Sequence, residues 1–467
     1  MIGLVATALA VDALLVALIA IVLLAPLVAR IARGRFDPFE PIVVFAVAYG
    51  VMFVVRPTAM LSDDSLVYEG PRAALDVSGT FTEMLTFALL GALGFVAGYE
   101  TFFGARLARM HRRPPVVSRD ARLVLAAVLF ALVGACSYAL LVLSSGGVEF
   151  LDAILRLGRE TEALEPGGAS MYARFLFLIV VPAALVLLAL GLERRSAPLI
   201  VVALSLAVLV AAQASPLGSR LTLLPLLGGM FALYYVRRTA RPSLLTIVVI
   251  AVVAVFVSAF LSDLRGRATR GETVAETVAR ATSPSRVVDS IVSGPDTEMA
   301  PVLAAGLSVI PERLSHTYGS TIFGDFVTRP VPRALWNDKP VIPRHKLLAE
   351  IWPVEYERGT INAEFSTLLY FYWDFGLLGI VIGLALYGIL SRYLYEYFRS
   401  REEHAYAQVL YSLALWFVVI GLRDSPVDTF VRACFILLPV WGIFAVARRP
   451  LRARSQQSIS AGQRAAL

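Results

Sequence analysis

The only two lysines of this chain, Lys339 and Lys346, fall in the segment PRALWNDKPVIPRHK, while the other basic residues among its 42 are all arginines. Two compact ammonium groups set among arginines suit point-charge contacts to phosphate, with chance clustering as the rival reading. Arg333 and Arg344 lie in the same segment, and Arg159 in RLGRETE is comparable. For each of these three arginines a structural ion pair with a nearby carboxylate competes with a phosphate contact. Arg220, in SPLGSR, sits just inside an apolar run, where a guanidinium is costly unless it faces a polar cavity and a partner; snorkelling to the interface is the alternative. Arg265 opens the pattern RGRATR, which reads first as a headgroup-contacting cluster. Glu364, in NAEFSTLLY, stands at the entrance of an apolar segment where partial burial would raise its basicity, although a helix-capping carboxylate would look the same.

Groups of this kind need a scaffold, and composition says which. Hydrophobic residues make up 58% of the 467 and charged ones only 16%, with a mean hydropathy of +0.73, beyond what a water-soluble domain of this length shows. An all-α polytopic membrane protein is implied, because each crossing needs roughly 20 apolar residues with every backbone group paired internally. Apolar windows near 3–29, 40–58, 80–103, 120–144, 171–193, 196–213, 217–236, 242–262, 376–396, 405–422 and 428–446 predict a bundle of about eleven transmembrane helices. Segment 363–375 is too short to cross alone and reads as a re-entrant turn or the outer end of a long tilted helix.

Arginines cluster in alternate short loops, after the first, third, fifth and seventh windows, and again in the tail. Basic short loops stay in the cytoplasm, so the N-terminus is expected outside and the C-terminus inside. The first apolar stretch, without a basic leader, reads as a retained anchor. Four divisions follow: an N-terminal bundle of about eight spans (1–263), a large extracytoplasmic loop (264–361), about three C-terminal spans with the re-entrant segment (362–447), and a basic cytoplasmic tail (448–467). The loop mixes twelve basic with eleven acidic residues and keeps many apolar ones, so an ordered roof with short amphipathic helices over a cavity is expected rather than a floppy linker.

The net charge of +7 is accounted for by cytoplasmic arginines beside anionic lipid, and no nucleic-acid partner is implied. Cys136 and Cys434 both fall in apolar windows and read as buried thiols. The sequence lacks GxxxxGK[ST], HExxH and paired CxxC motifs, so neither ATP-driven transport nor a metal site is supported, and no cofactor is expected. Outer-face aromatics such as Trp336 and Tyr318 could stack on sugar rings, though an interfacial belt has the same composition.

The order of GRETEALEPGG, SPLGSR opening a span, a late large loop ending in PRALWNDKP, and then NAEFSTLLYFYWDFGLLGIVIG resembles the Wzy-type oligosaccharide repeat-unit polymerases, in the membrane glycosyltransferase group that also holds O-antigen ligases. The resemblance spans about residues 145 to 395. It implies transfer of a growing glycan from undecaprenyl pyrophosphate to the sugar hydroxyl of another lipid-linked unit, in the bacterial cytoplasmic membrane with the active site facing outward. Neither metal nor nucleotide sugar takes part, and room is left for a chain-length regulator as partner. On that chemistry Arg220, Arg159, Arg333, Arg344, Lys339 and Arg265 are candidates to stabilise the departing pyrophosphate. Glu364, His316 and Glu160 are candidate bases for the acceptor hydroxyl, with Asp325 and His345 as alternatives. A ligase using a different acceptor, and a flippase for lipid-linked sugars, are the competing readings; no internal repeat supports the latter.

Overall fold

Long apolar runs form helices in the computed structural model, which describes residues 2–62, 67–69, 74–110, 120–150, 169–215, 220–238, 241–265, 273–283, 294, 297–329, 331, 336, 338–358 and 363–447. Among the described residues nine helices are long and apolar enough to cross a membrane. They are α1 (Ile2–Ala32), α2 (Pro41–Ser62), α3 (Ser78–Glu100), α5 (Asp120–Ser144), α6 (Tyr172–Arg194), α7 (Ala197–Ala214), α15 (Thr367–Arg399), α16 (Ala405–Arg423) and α17 (Pro426–Val446). Two further apolar helices, α8 (Leu221–Arg237) and α9 (Leu244–Arg265), stand where the remaining two spans were expected. The protein is an all-α polytopic membrane protein.

Proline punctuates this pattern at tolerated places, opening α2, α7 and α17 in their first turn, where a missing N–H costs nothing. Pro225 lies inside α8, where the backbone widens into a π segment over Leu224–Gly228. The short elements are α4 (Phe102–Met110), α10 (Val274–Ala281), α11 (Met299–Leu307), α12 (Ile322–Thr328), α13 (Pro343–Ile351), α14 (Pro353–Glu357) and a two-stranded antiparallel pair, β1 (Val67–Glu69) with β2 (Ala74–Asp76). Helix α10 starts on a capping box, Thr273 with Glu276.

The strongest interhelical seam joins α3 to α15. A Cβ on Gly98 would lie 2.0 Å from the Ala385 carbonyl oxygen, so the two backbones touch where side chains would hold them apart. Gly98→Val is therefore expected to wedge the seam open and lower the thermal unfolding temperature in detergent, by overpacking worth about 1–3 kcal/mol or more. An unchanged melting temperature would contradict this packing.

Helix α15 is two helices. Gly376 has φ +61° and ψ −155°, a conformation essentially restricted to glycine, and the chain reverses there. A Cβ on Gly383 would meet the ring of Phe371 at 2.4 Å, although twelve residues of continuous helix would separate them by about 18 Å. Residues 367–375 therefore fold back on 377–399 as a separate limb, re-entrant in the course of the chain, and do not continue it as the outer end of one long helix.

Two sets of charged residues mark opposite ends of the bundle. At one, Arg30 grips Glu40 through Nε (2.7 Å) and Nη2 (2.8 Å) and also Glu100, while Arg392 approaches Glu40 from α15 and Tyr99 donates to it. At the other, α11 to α14 cover the re-entrant limb as a roof. Buried Met299, Leu303, Ala304, Leu347 and Leu348 pack into the same apolar core as α2 and α3.

Candidate functional site

The roof is pinned to the re-entrant limb by a buried carboxylate. Asp374 accepts hydrogen bonds from the Thr317 hydroxyl and from the backbone N–H groups of Thr321 (3.1 Å) and Ile322 (2.9 Å), capping the start of α12. Nearby, Thr317 N–H donates to the Trp373 carbonyl (3.1 Å), and Trp373 Nε1 donates to the Ser315 carbonyl (3.2 Å). Three donors depend on one fully buried side chain, so Asp374→Ala should destabilise the roof by about 3 kcal/mol, read as faster proteolysis of residues 308–331 in detergent. Cleavage no faster than in the wild type would show the pin to be dispensable.

Held in this way, the roof lowers its charges onto the 424–425 turn between α16 and α17. Arg329, at the end of α12, binds Asp325 through Nη2 (2.5 Å) and Nε (3.1 Å) and reaches Asp428 on α17 through Nη1 (2.8 Å). Burial alone would lower the pKa of this guanidinium, but its bonds to Asp325 and the charge of Asp428 more than offset that and raise it. Asp428 also accepts from the Ser425 hydroxyl (2.7 Å). Arg344, near the start of α13, forms an ion pair with Glu364, which leads into the re-entrant limb. Burial opposes the charge on Arg344 and Glu364 favours it, with Asp428 and Arg329 also within electrostatic reach, and the net shift is upward. Lys339 donates to the backbone carbonyls of Arg329 (3.3 Å) and Val331 (2.9 Å), bracing the turn after α12.

The floor of this corner is built by residues that sequence reasoning passed over. Arg423, Asp424, Asp428 and Arg432 lie within RDSPVDTFVR at the junction of the last two spans. Asp424 is buried and faces Arg432 (Nη2 to Oδ2, 3.6 Å), with Thr367 donating to its backbone carbonyl (2.8 Å). Burial pushes the Asp424 carboxyl up to about 7, against the pull of Arg432 and Arg423 and with the help of Glu364 and Asp428. The signal was present in the sequence: four charges in ten residues beside apolar spans mark a functional candidate.

Four guanidinium groups and four carboxylates thus converge from α12, α13, the lead into the re-entrant limb, the end of α16, and the 424–425 turn with α17. An apolar groove of about 390 Å³ starts beside them. Thr367, Pro426 and Thr429 line its end nearest the charges, while Phe371, Tyr387 and Phe417 line its flanks. Along α15 the lining runs from Gly383 to Leu394, about 16 Å of helix. Exposed Leu386, Leu390 and Phe430 leave the groove open on the outside of the bundle.

The sequence candidates distribute unevenly. Glu364, Arg344 and the alternative base Asp325 belong to this corner, and Lys339 braces its edge. His316 does not share their contacts: its Nδ1 pairs with the Trp373 carbonyl (3.2 Å) and its ring lies edge-on to Tyr372. The His345 ring lies tilted against Tyr356. Tyr318 is 84% exposed on a left-handed turn, and Trp336 is 39% exposed. Arg159, Glu160 and Arg333 lie outside the described residues, as do the side chains of Arg220 and Arg265. Cys136 is exposed on the bundle surface rather than buried, and Cys434 is partly buried. Among the described residues no cluster of His, Cys, Asp and Glu could hold a metal ion. Searches of family models, curated proteins and solved structures return no match to this chain.

Proposed function

We propose that this protein is a membrane glycosyltransferase that polymerises lipid-linked oligosaccharide repeat units. It passes a growing glycan from undecaprenyl pyrophosphate to a sugar hydroxyl of another lipid-linked unit, in a bacterial cytoplasmic membrane with the roof facing outward. The observation carrying this reading is the junction of a charge-dense, largely buried corner with an apolar groove open to the side, which suits an amphiphile with an anionic head and a hydrocarbon tail. The order of sequence segments, which resembles that of Wzy-type polymerases, is in keeping with the same substrate.

In this reading Arg344 and Arg329 face the pyrophosphate. A guanidinium carries five N–H donors, so it can hold a carboxylate and still offer hydrogen bonds to phosphate oxygens. Charge grows on the leaving oxygens as the glycosidic bond breaks, and preset donors stabilise that charge without reorganising. The carboxylates keep the arginines neutralised before the substrate arrives, which avoids the cost of bare buried cations.

Purified protein supplied with undecaprenyl-pyrophosphate oligosaccharide should yield a ladder of lengthened lipid-linked products. Transfer only onto a different lipid would identify a ligase instead. Movement of intact substrate between leaflets without elongation would identify a flippase and sink the polymerase reading.

A further inference from the structure

Two buried polar atoms at the floor of the charged corner lack a hydrogen-bond partner among the described residues: Oδ1 of Asp424 and Nε of Arg432. They belong to side chains that already approach each other at 3.6 Å through their other atoms. One needs a donor and the other an acceptor. The hydroxyl oxygens of Ser366 and Thr429, one beside Thr367 and the other at the charged end of the groove, are likewise buried without partners. Orphaned polar atoms are costly in a dry interior, and the neighbouring side chains of Asp424 and Arg432 carry one each. A hydroxyl group, which is donor and acceptor in one atom, satisfies Asp424 and Arg432 together.

We infer that Asp424 and Arg432 bind the acceptor alcohol, with Asp424 as the catalytic base and Arg432 as a positioning residue. The inference rests on the transferase reading above and supplies its missing half. The acceptor O–H donates to Asp424 Oδ1 while Arg432 Nε–H donates to the second lone pair of the same oxygen and fixes its direction. As the oxygen bonds to the anomeric carbon, its proton passes to Asp424. The bond from that carbon to the pyrophosphate oxygen breaks, and the electron pair leaves with the lipid pyrophosphate. Asp424 must lose this proton before the next cycle.

Glu364, from the segment before the re-entrant limb, becomes the partner of Arg344 rather than the base. Oε1 of Glu364 is already taken by the Arg344 guanidinium, whereas Oδ1 of Asp424 has no partner among the described residues. The groups facing Asp424 are Arg432 and Asp428 on α17, Arg423 at the end of α16 and Glu364 from the roof side. Burial sets the balance among them toward the protonated acid. The sign follows from linkage: a raised carboxyl pKa contributes stability below the unfolded value and loses it as pH rises through about 7. That loss runs from the ordinary carboxylate value near 3.8 to about 7, and activity, which needs the ionised form, rises as pH passes about 7, so stability falls before activity reaches its maximum.

The test uses full-length protein in detergent with undecaprenyl-pyrophosphate oligosaccharide, comparing wild type with Asp424→Asn, Asp424→Glu and Arg432→Lys. Asp424→Asn should lose about 10²–10⁴-fold in kcat with KM within about twofold. It should also melt no lower than wild type and abolish the fall of melting temperature between about pH 4 and pH 7. Asp424→Glu should recover part of the rate, and Arg432→Lys should raise KM for the acceptor. If wild type elongates glycans and Asp424→Asn stays within threefold of it, this inference fails while the transferase reading stands. If wild type elongates nothing under any condition, the reading and the inference fall together.

Discussion

Arg329→Met should be the most destabilising single change at the roof, at about 3–5 kcal/mol. The side chain is 10% exposed and Asp325 is 7% exposed, so removing the cation leaves a carboxylate in a poorly solvated setting with its counter-charge gone. Asp428, its second partner on α17, loses the bond that ties the roof to the last span. Both carboxylates must then protonate or drag water inward. The loss is read as a lowered apparent melting temperature in detergent. Adding Asp325→Asn to Arg329→Met should recover part of it, because the orphaned charge is removed along with its partner. A single variant that melts like wild type would show that the roof is held by apolar packing alone.

Glutamine at position 364 and glutamine at position 344 are expected to cost activity together rather than in sum. Glu364→Gln frees Arg344 from its partner, and Arg344→Gln removes a candidate donor to the leaving pyrophosphate. Loss of one preset donor to developing charge is worth about 10²–10³ in kcat. Arg344→Gln should fall in that range, and Glu364→Gln should fall less. The double variant should be no worse than Arg344→Gln, since groups acting as a unit are not additive. Steady-state elongation rates of the four proteins settle it. Additive losses would mean that Glu364 acts on its own, and the base assignment would then return to it.

The expectation of a base at Glu364 rested on its place at the mouth of an apolar segment. That much was visible in the residues NAEF, and the segment does lead into a buried limb. Its pairing with Arg344 was not visible, because twenty residues and a helix separate the two and only the folded roof brings them together. The reverse happened at the other end of the chain. By hydropathy RDSPVDTFVR is only the edge of two spans, since hydropathy averages over a window and discounts charges at its margins. Intramembrane charge was the available clue, and it was used for Arg220 but not for Arg432.

Local periodicity and length determined the membrane class and the places of the spans. A helix in lipid must satisfy its own backbone, so one segment's composition is enough to decide whether it can cross. The short amphipathic helices expected in the 264–361 loop, of which 274–281 is one, were likewise a local property, legible in a few consecutive residues. The tertiary structure alone decided that Gly376 reverses the chain, that Asp374 pins the roof, and which arginine meets which carboxylate. Those outcomes depend on pairings between residues far apart in the chain, such as Arg329 with Asp428 and Arg392 with Glu40. A pairing of that kind is worth little until both side chains are desolvated by everything packed around them, and no sequence window contains that environment.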